Sequence, residues 1–105
     1  MLTKAEKVKR LRALLVRACN AHIKKGGEIL DVGFKEDNAC CPIRCAAGEP
    51  VVPYNEKLSE KLKFNFSNDD MWSFIAGFDG HEPDESRQDM FFKLGVELRK
   101  KYIKG

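Results

Sequence analysis

The chain has 105 residues, of which 43% are hydrophobic, and its formal net charge at neutral pH is +3. This size allows one compact domain over residues 1–105 and excludes a second independent core. No apolar run reaches the roughly 18 consecutive residues that a membrane-spanning helix needs, and no short apolar stretch near Met1 precedes a small-residue cleavage site. The sequence therefore predicts a soluble cytoplasmic protein whose four cysteines are reduced thiols.

The first helix is predicted to begin after Thr3 and to end at Gly26–Gly27. Thr3 and Glu6 have the spacing of a capping box. One face then carries residues at intervals of three and four, namely Val8, Leu11, Leu14, Leu15, Ala18 and His22. Arg10, Arg17 and Lys24 face away from this stripe, so we expect them in solvent.

Little regular structure is predicted between the first helix and the short helix that begins at Pro42. Residues 28–38 are expected to form a loop with at most one short strand, because Gly33 interrupts the apolar run and no partner strand is evident. Pro42 suits the first turn of a helix, where its missing N–H group costs no hydrogen bond. Gly48 ends that helix, so the stretch Asn38–Gly48 is predicted to be a two-turn helix with a cysteine-rich entrance.

Two further helices are predicted after Pro53. Asn55 is expected to cap a helix that ends near Lys63, and Ser67 with Asp70 has the spacing of a cap for the following helix. That helix contains the run MWSFIAGF and ends at Gly80. On it Trp72 lies about 100° from the buried face, so we expect it to be partly exposed and able to anchor a partner.

The last helix is predicted to begin at Asp84, which can cap it after Pro83. It has two apolar faces, one with Phe91, Leu94, Leu98 and Tyr102 and the other with Phe92, Val96 and Ile103. Such a wide apolar surface has to pack against more than one neighbour. The fold class is therefore predicted to be all-α, a small irregular domain of three main helices and two short ones.

Charge is segregated along the chain. Residues 1–25 carry a net charge of +7, residues 26–98 carry −8, and residues 99–105 carry +4. Oppositely charged segments can attract within one fold, and lysines can simply solvate a helix face. Alternatively, the basic termini, including Lys100 and Lys101, bind an anionic partner such as the phosphates of a nucleic acid.

The cysteines suggest a second type of site. Cys19 and His22 are three residues apart on the first helix, and three more cysteines follow within six positions. Thiolates with an imidazole favour zinc, so the candidate metal ligands are Cys19, His22, Cys40, Cys41 and Cys45. A redox role for Cys40 or Cys41 is also open, although three residues rather than two separate Cys41 from Cys45. The alternative is that these cysteines fill the core as small hydrophobic residues.

No catalytic constellation or cofactor motif is recognisable, and the two histidines occur outside any known hydrolase pattern. The acidic loop at residues 78–85 does not follow the EF-hand spacing. The functional prediction is a small non-enzymatic protein-interaction or regulatory module. The two alternatives are a zinc or thiol protein that uses the cysteine cluster and a non-specific nucleic-acid binder that uses the basic termini.

Overall fold

The computed structural model describes residues 2–30, 39–48, 51–80 and 90–103, without the side chains of residues 39 and 40. These residues form five helices, namely α1 (Lys4–Lys24), α2 (Pro42–Ala47), α3 (Tyr54–Leu62), α4 (Asn68–Phe78) and α5 (Met90–Tyr102). The predicted all-α fold is confirmed. The predicted cap at Asp84 and most of the acidic loop lie outside the described residues.

Helix α1 begins at the predicted capping box. The Thr3 hydroxyl accepts a hydrogen bond from the Glu6 N–H (3.2 Å), and the Glu6 carboxylate accepts one from the Thr3 N–H (3.1 Å). The hydrogen bond from the Thr3 N–H stabilises the charged carboxylate and is the main cause of the lowered pKa of Glu6. The buried residues of the helix are Leu11, Leu15 and Cys19. Leu11 and Leu15 belong to the predicted apolar stripe, whereas Cys19 does not.

A short parallel pairing follows α1. Strand β1 (Glu28–Ile29) pairs with β2 (Ala39–Cys40), with Glu28 opposite Ala39. The sequence analysis found a possible strand here but no partner for it. A two-residue strand is too short to show an alternating pattern, so the pairing has no signature in the sequence.

Helices α2 and α3 begin differently from each other. As predicted, Pro42 is the first residue of α2, and Gly48 follows the helix with a φ of +74°. The prediction for α3 is wrong at its start, because Pro53 occupies the N-cap position and Asn55 lies inside the first turn. The Asn55 side chain instead donates a hydrogen bond to the Phe66 carbonyl (3.4 Å) and so contacts the turn that leads to α4.

Helices α4 and α5 pack closely against each other. The predicted cap of α4 is present, since the Ser67 hydroxyl accepts a hydrogen bond from the Asp70 N–H (3.1 Å). A Cβ atom added at Gly77 of α4 would lie 2.2 Å from the Phe92 carbonyl oxygen, and one added at Gly95 of α5 would lie 2.2 Å from the Phe74 carbonyl oxygen. The two glycines therefore let the helix backbones come into direct contact.

Helix α5 also lies beside α1 and runs in the same direction. The Arg12 guanidinium donates a hydrogen bond to the Glu97 carboxylate at 2.5 Å. Further along, the Tyr102 hydroxyl donates one to the Asn20 side chain at 2.8 Å. The contact with α5 leaves another side of α1 available for the packing of α3, and the candidate site lies there.

Candidate functional site

An open pocket of about 250 Å³ lies between α1 and α3. Its lining consists of three basic and three apolar residues, which are Arg10, Ala13, Leu14, Arg17, Lys61 and Leu62. The α1 members are three or four residues apart, so they project from one face of that helix. The α3 members belong to its last turn. The lining of the pocket thus combines three cations with three apolar side chains.

Two of the basic side chains contact the ends of other helices. Arg10 Nη1 donates a hydrogen bond to the carbonyl of Leu62, the last residue of α3, at 3.4 Å. Lys61 Nζ donates one to the carbonyl of Ala46, in the last turn of α2, at 2.6 Å. The last carbonyls of a helix lack partners within it and carry partial negative charge, so a cation beside them is stabilising.

The three cations of the pocket nevertheless keep most of their hydrogen-bonding capacity. An arginine side chain has five N–H donors and a lysine has three, whereas Arg10 and Lys61 each make one hydrogen bond to a carbonyl. Within the described part of the chain no carboxylate forms an ion pair with Arg10, Arg17 or Lys61. By contrast, Arg12 on another face of α1 is paired with Glu97. Arg10 does interact electrostatically with the Glu6 carboxylate one turn earlier on α1, so the positive charge of the pocket is balanced only in part by the described residues.

Only some of the cations predicted to bind a partner lie together in the pocket between α1 and α3. Arg10 and Arg17 line the pocket together, but Lys24, Lys100 and Lys101 are not among its lining residues. Lys101 instead lies with Nζ 5.7 Å from the centroid of the Tyr102 ring. Lys61, which completes the pocket, was missed because its position beside α1 depends on how α3 packs.

Trp72 is 54% exposed on α4, which confirms the prediction that this side chain is only partly covered. Its neighbours Met71 and Phe74 are buried, so the indole lies at the flank of the apolar face. A half-exposed indole can anchor a partner, but it can equally cover adjacent backbone. Its role in binding stays a prediction.

Cys19 and Cys41 are buried free thiols. Burial, with a smaller contribution from the neighbouring Cys41 sulfur, raises the pKa of Cys19 to about 12. Burial also raises the pKa of Cys41. Both groups are therefore protonated at neutral pH, whereas a reactive cysteine needs the thiolate. This environment favours the interpretation that the two side chains pack as small hydrophobic residues.

The remaining candidate metal ligands have other surroundings. Cys45 is disulfide-bonded, so the expectation that all four cysteines are reduced is wrong for this residue. The His22 ring lies against Gly27, where an added Cβ atom would come within 2.2 Å of Nε2. Among the residues whose side chains are described, no three potential ligands form a cluster. The side chain of Cys40 falls outside that set, and the zinc site stays a prediction.

Comparison with known proteins gives no information about the function. No family model, curated protein or solved structure matches the chain. In the part of the chain that is described, no helix has both the length and the apolar character needed to cross a bilayer.

Proposed function

We propose that this protein is a small non-enzymatic interaction module that binds an acidic segment of a partner protein in the pocket between α1 and α3. One observation carries the proposal: Arg10, Arg17 and Lys61 converge on one pocket, and no carboxylate of the described residues is paired with any of them.

Three like charges around one pocket repel one another, and an anionic ligand relieves that repulsion. The described surface shows that the fold does pair its cations where a partner is near, since Arg12 contacts Glu97. None of the pocket cations is in ion-pair contact with a described carboxylate, and of the three only Arg10 interacts with one, Glu6, so most of their field is available to a ligand from outside. Complementary charge of this kind accelerates association and selects the partner.

The apolar part of the lining favours a protein ligand over a nucleic acid. Ala13, Leu14 and Leu62 line the pocket together with the basic side chains, and they offer contact area to the aliphatic part of a side chain. Binding to a nucleic-acid backbone requires a row of many phosphate contacts. Lys24, Lys100 and Lys101 would extend such a row, but they do not line this pocket.

The experiment measures binding of a fluorescent 12-residue peptide of alternating Glu and Ser to the full chain by anisotropy, at low and moderate salt. A pocket variant carries Arg10→Gln, Arg17→Gln and Lys61→Gln. A matched control carries Lys9→Gln, Lys24→Gln and Lys100→Gln and thus has the same net charge. Circular dichroism checks that both variants fold, because Arg10 and Lys61 also contact helix ends.

We expect the pocket variant to bind at least tenfold more weakly than the wild-type chain, and the control to bind within threefold of it. Equal losses in the two variants would show that net charge alone attracts the peptide. Tighter binding of a single-stranded oligonucleotide of equal charge would favour a nucleic-acid partner. Either result would contradict the proposal.

A further inference from the structure

The pocket between α1 and α3 has more positive charge than one carboxylate can balance. From this we infer that it receives a phosphoryl group on a serine or threonine side chain of the acidic partner. This inference rests on the proposed function and specifies the group that the pocket recognises.

The first argument is the balance of charge. Three cations line the pocket, whereas a glutamate or aspartate side chain has a single negative charge. The pair Arg12–Glu97 shows on the same helix that one carboxylate is matched by one guanidinium. A phosphorylated side chain carries about −1.5 to −2 at neutral pH, so it balances the pocket better than one carboxylate does.

The second argument is the direction of the donors. Arg10 and Arg17 line the pocket from α1 and Lys61 lines it from α3, with one donor of Arg10 and one of Lys61 held by helix-end carbonyls. A phosphoryl group has three terminal oxygens that accept hydrogen bonds from several directions, whereas the two oxygens of a carboxylate lie in one plane. Guanidinium groups bind phosphate with two parallel hydrogen bonds, and Arg17 makes none to the described residues that would compete.

The third argument is size. The pocket volume of about 250 Å³ lies below the roughly 300–1,000 Å³ of sites that enclose a whole small molecule or cofactor. It is large enough for one modified side chain. Ala13, Leu14 and Leu62 are the apolar lining residues that the methylene or methyl group of that side chain can contact.

The test compares three peptides of identical acidic flanks, with Ser, Glu or phosphoserine at the centre, against the full chain at fixed ionic strength. We expect the phosphoserine peptide to bind at least tenfold more tightly than the Ser peptide and at least threefold more tightly than the Glu peptide. The variant Arg17→Gln should lose this preference, because Arg17 touches no helix end and its loss should leave the fold intact. Lys9→Gln makes the same change of charge on α1 outside the pocket and should keep the preference.

The other outcomes separate this inference from the proposed function. If all three peptides bind equally and the pocket variant binds none of them, the phosphoryl inference is overturned and the proposed function stands. If no acidic peptide binds, both are overturned. If inorganic phosphate displaces the peptide at the concentration at which the phosphoserine peptide itself binds, the site recognises the free anion and the inference falls. A preference that persists in Arg17→Gln also overturns it.

Discussion

Burial decides the chemistry of Cys19. The side chain is fully buried on the core face of α1, and its thiol stays neutral because a thiolate there would lose its hydration. The sequence allows two interpretations of Cys19, a metal ligand or a core residue, and its spacing of three residues from His22 does not decide between them. The choice depends on what surrounds the side chain in the fold.

The raised pKa of Cys19 predicts that the protein loses stability at high pH. An exposed thiol in the unfolded chain titrates near 9.0, whereas the folded thiol titrates near 12. Between these values the unfolded chain binds fewer protons than the folded one, so the free energy of unfolding falls as pH rises. The loss should reach about 1.4 kcal/mol near pH 10, one pH unit above the pKa of the unfolded thiol, since one pH unit corresponds to about 1.4 kcal/mol for one group.

Urea unfolding at pH 8 and pH 10 measures this effect in the wild-type chain and in Cys19→Ala. The variant is less stable at both values because it lacks the buried sulfur, but the difference between the two proteins should shrink at pH 10. An unchanged difference would show that Cys19 does not contribute to the pH dependence.

Several basic side chains stabilise helix ends, a role that the charge pattern of the sequence does not reveal. Arg99 Nη1 donates a hydrogen bond to the Phe78 carbonyl at the end of α4 (2.8 Å), just as Arg10 and Lys61 contact the ends of α3 and α2. The sequence leaves three interpretations of the segregated charges: attraction between segments within the fold, solvation of helix faces, or binding of an anionic partner. In the structure the same side chain both stabilises a helix end and faces a pocket.

Among the elements, α4 and α5 form the closest pair. Gly77 and Gly95 each lie against a carbonyl of the opposite helix, and the pair buries Phe74 and Phe92. In an exposed helix, replacement of glycine by alanine stabilises by about 1 kcal/mol. At these two positions the added methyl group meets backbone, which cannot rotate away as a side chain can.

We therefore expect Gly77→Ala and Gly95→Ala each to lower the free energy of unfolding, by about 1–3 kcal/mol, as overpacked cores do. Denaturant unfolding followed by circular dichroism measures the change. Lys93→Ala, at an exposed position of α5, is the control and should stay within about 0.5 kcal/mol of the wild-type chain. A glycine variant more stable than the wild-type chain would mean that the two backbones are not in contact.

In the whole molecule α1 is the central element. It packs against α2, α3, α5 and β1, and its residues Leu11 and Leu15 are fully buried. The Cα radius of gyration is 12.9 Å, which agrees with the roughly 13 Å expected for one compact domain of this length. Loss of α1 packing should therefore affect all of its neighbours together.

We expect Leu15→Ala to lower the free energy of unfolding by about 2–5 kcal/mol, because it removes buried methyl groups and leaves a cavity. Circular dichroism and the fluorescence of Trp72, which lies on α4, should report the same urea midpoint. Val51→Ala, at a fully exposed position, is the control and should change little. Two separated midpoints would show that α4 unfolds independently of α1.

Prediction from the sequence worked best where the signal is local. The capping box at Thr3 and the start of α2 at Pro42 depend on residues at most a few positions apart, and both are present. The start of α3 was predicted wrongly at Asn55, because Pro53 provides a fixed φ and begins the helix without a side-chain cap. The cap at Asp84 lies outside the described residues and stays a prediction.

Local patterns in the sequence thus suffice for the order of the five described helices, for the burial of Leu11 and Leu15 and for the exposure of Arg10 and Arg17. The tertiary structure alone places Lys61 beside α1, joins β1 to β2 and brings Gly77 against α5. The physical reason is the separation along the chain over which each interaction acts. Periodicity and capping act within one or two helical turns, whereas Arg10 meets the Leu62 carbonyl across 52 positions of the chain. That distance closes only when whole helices pack.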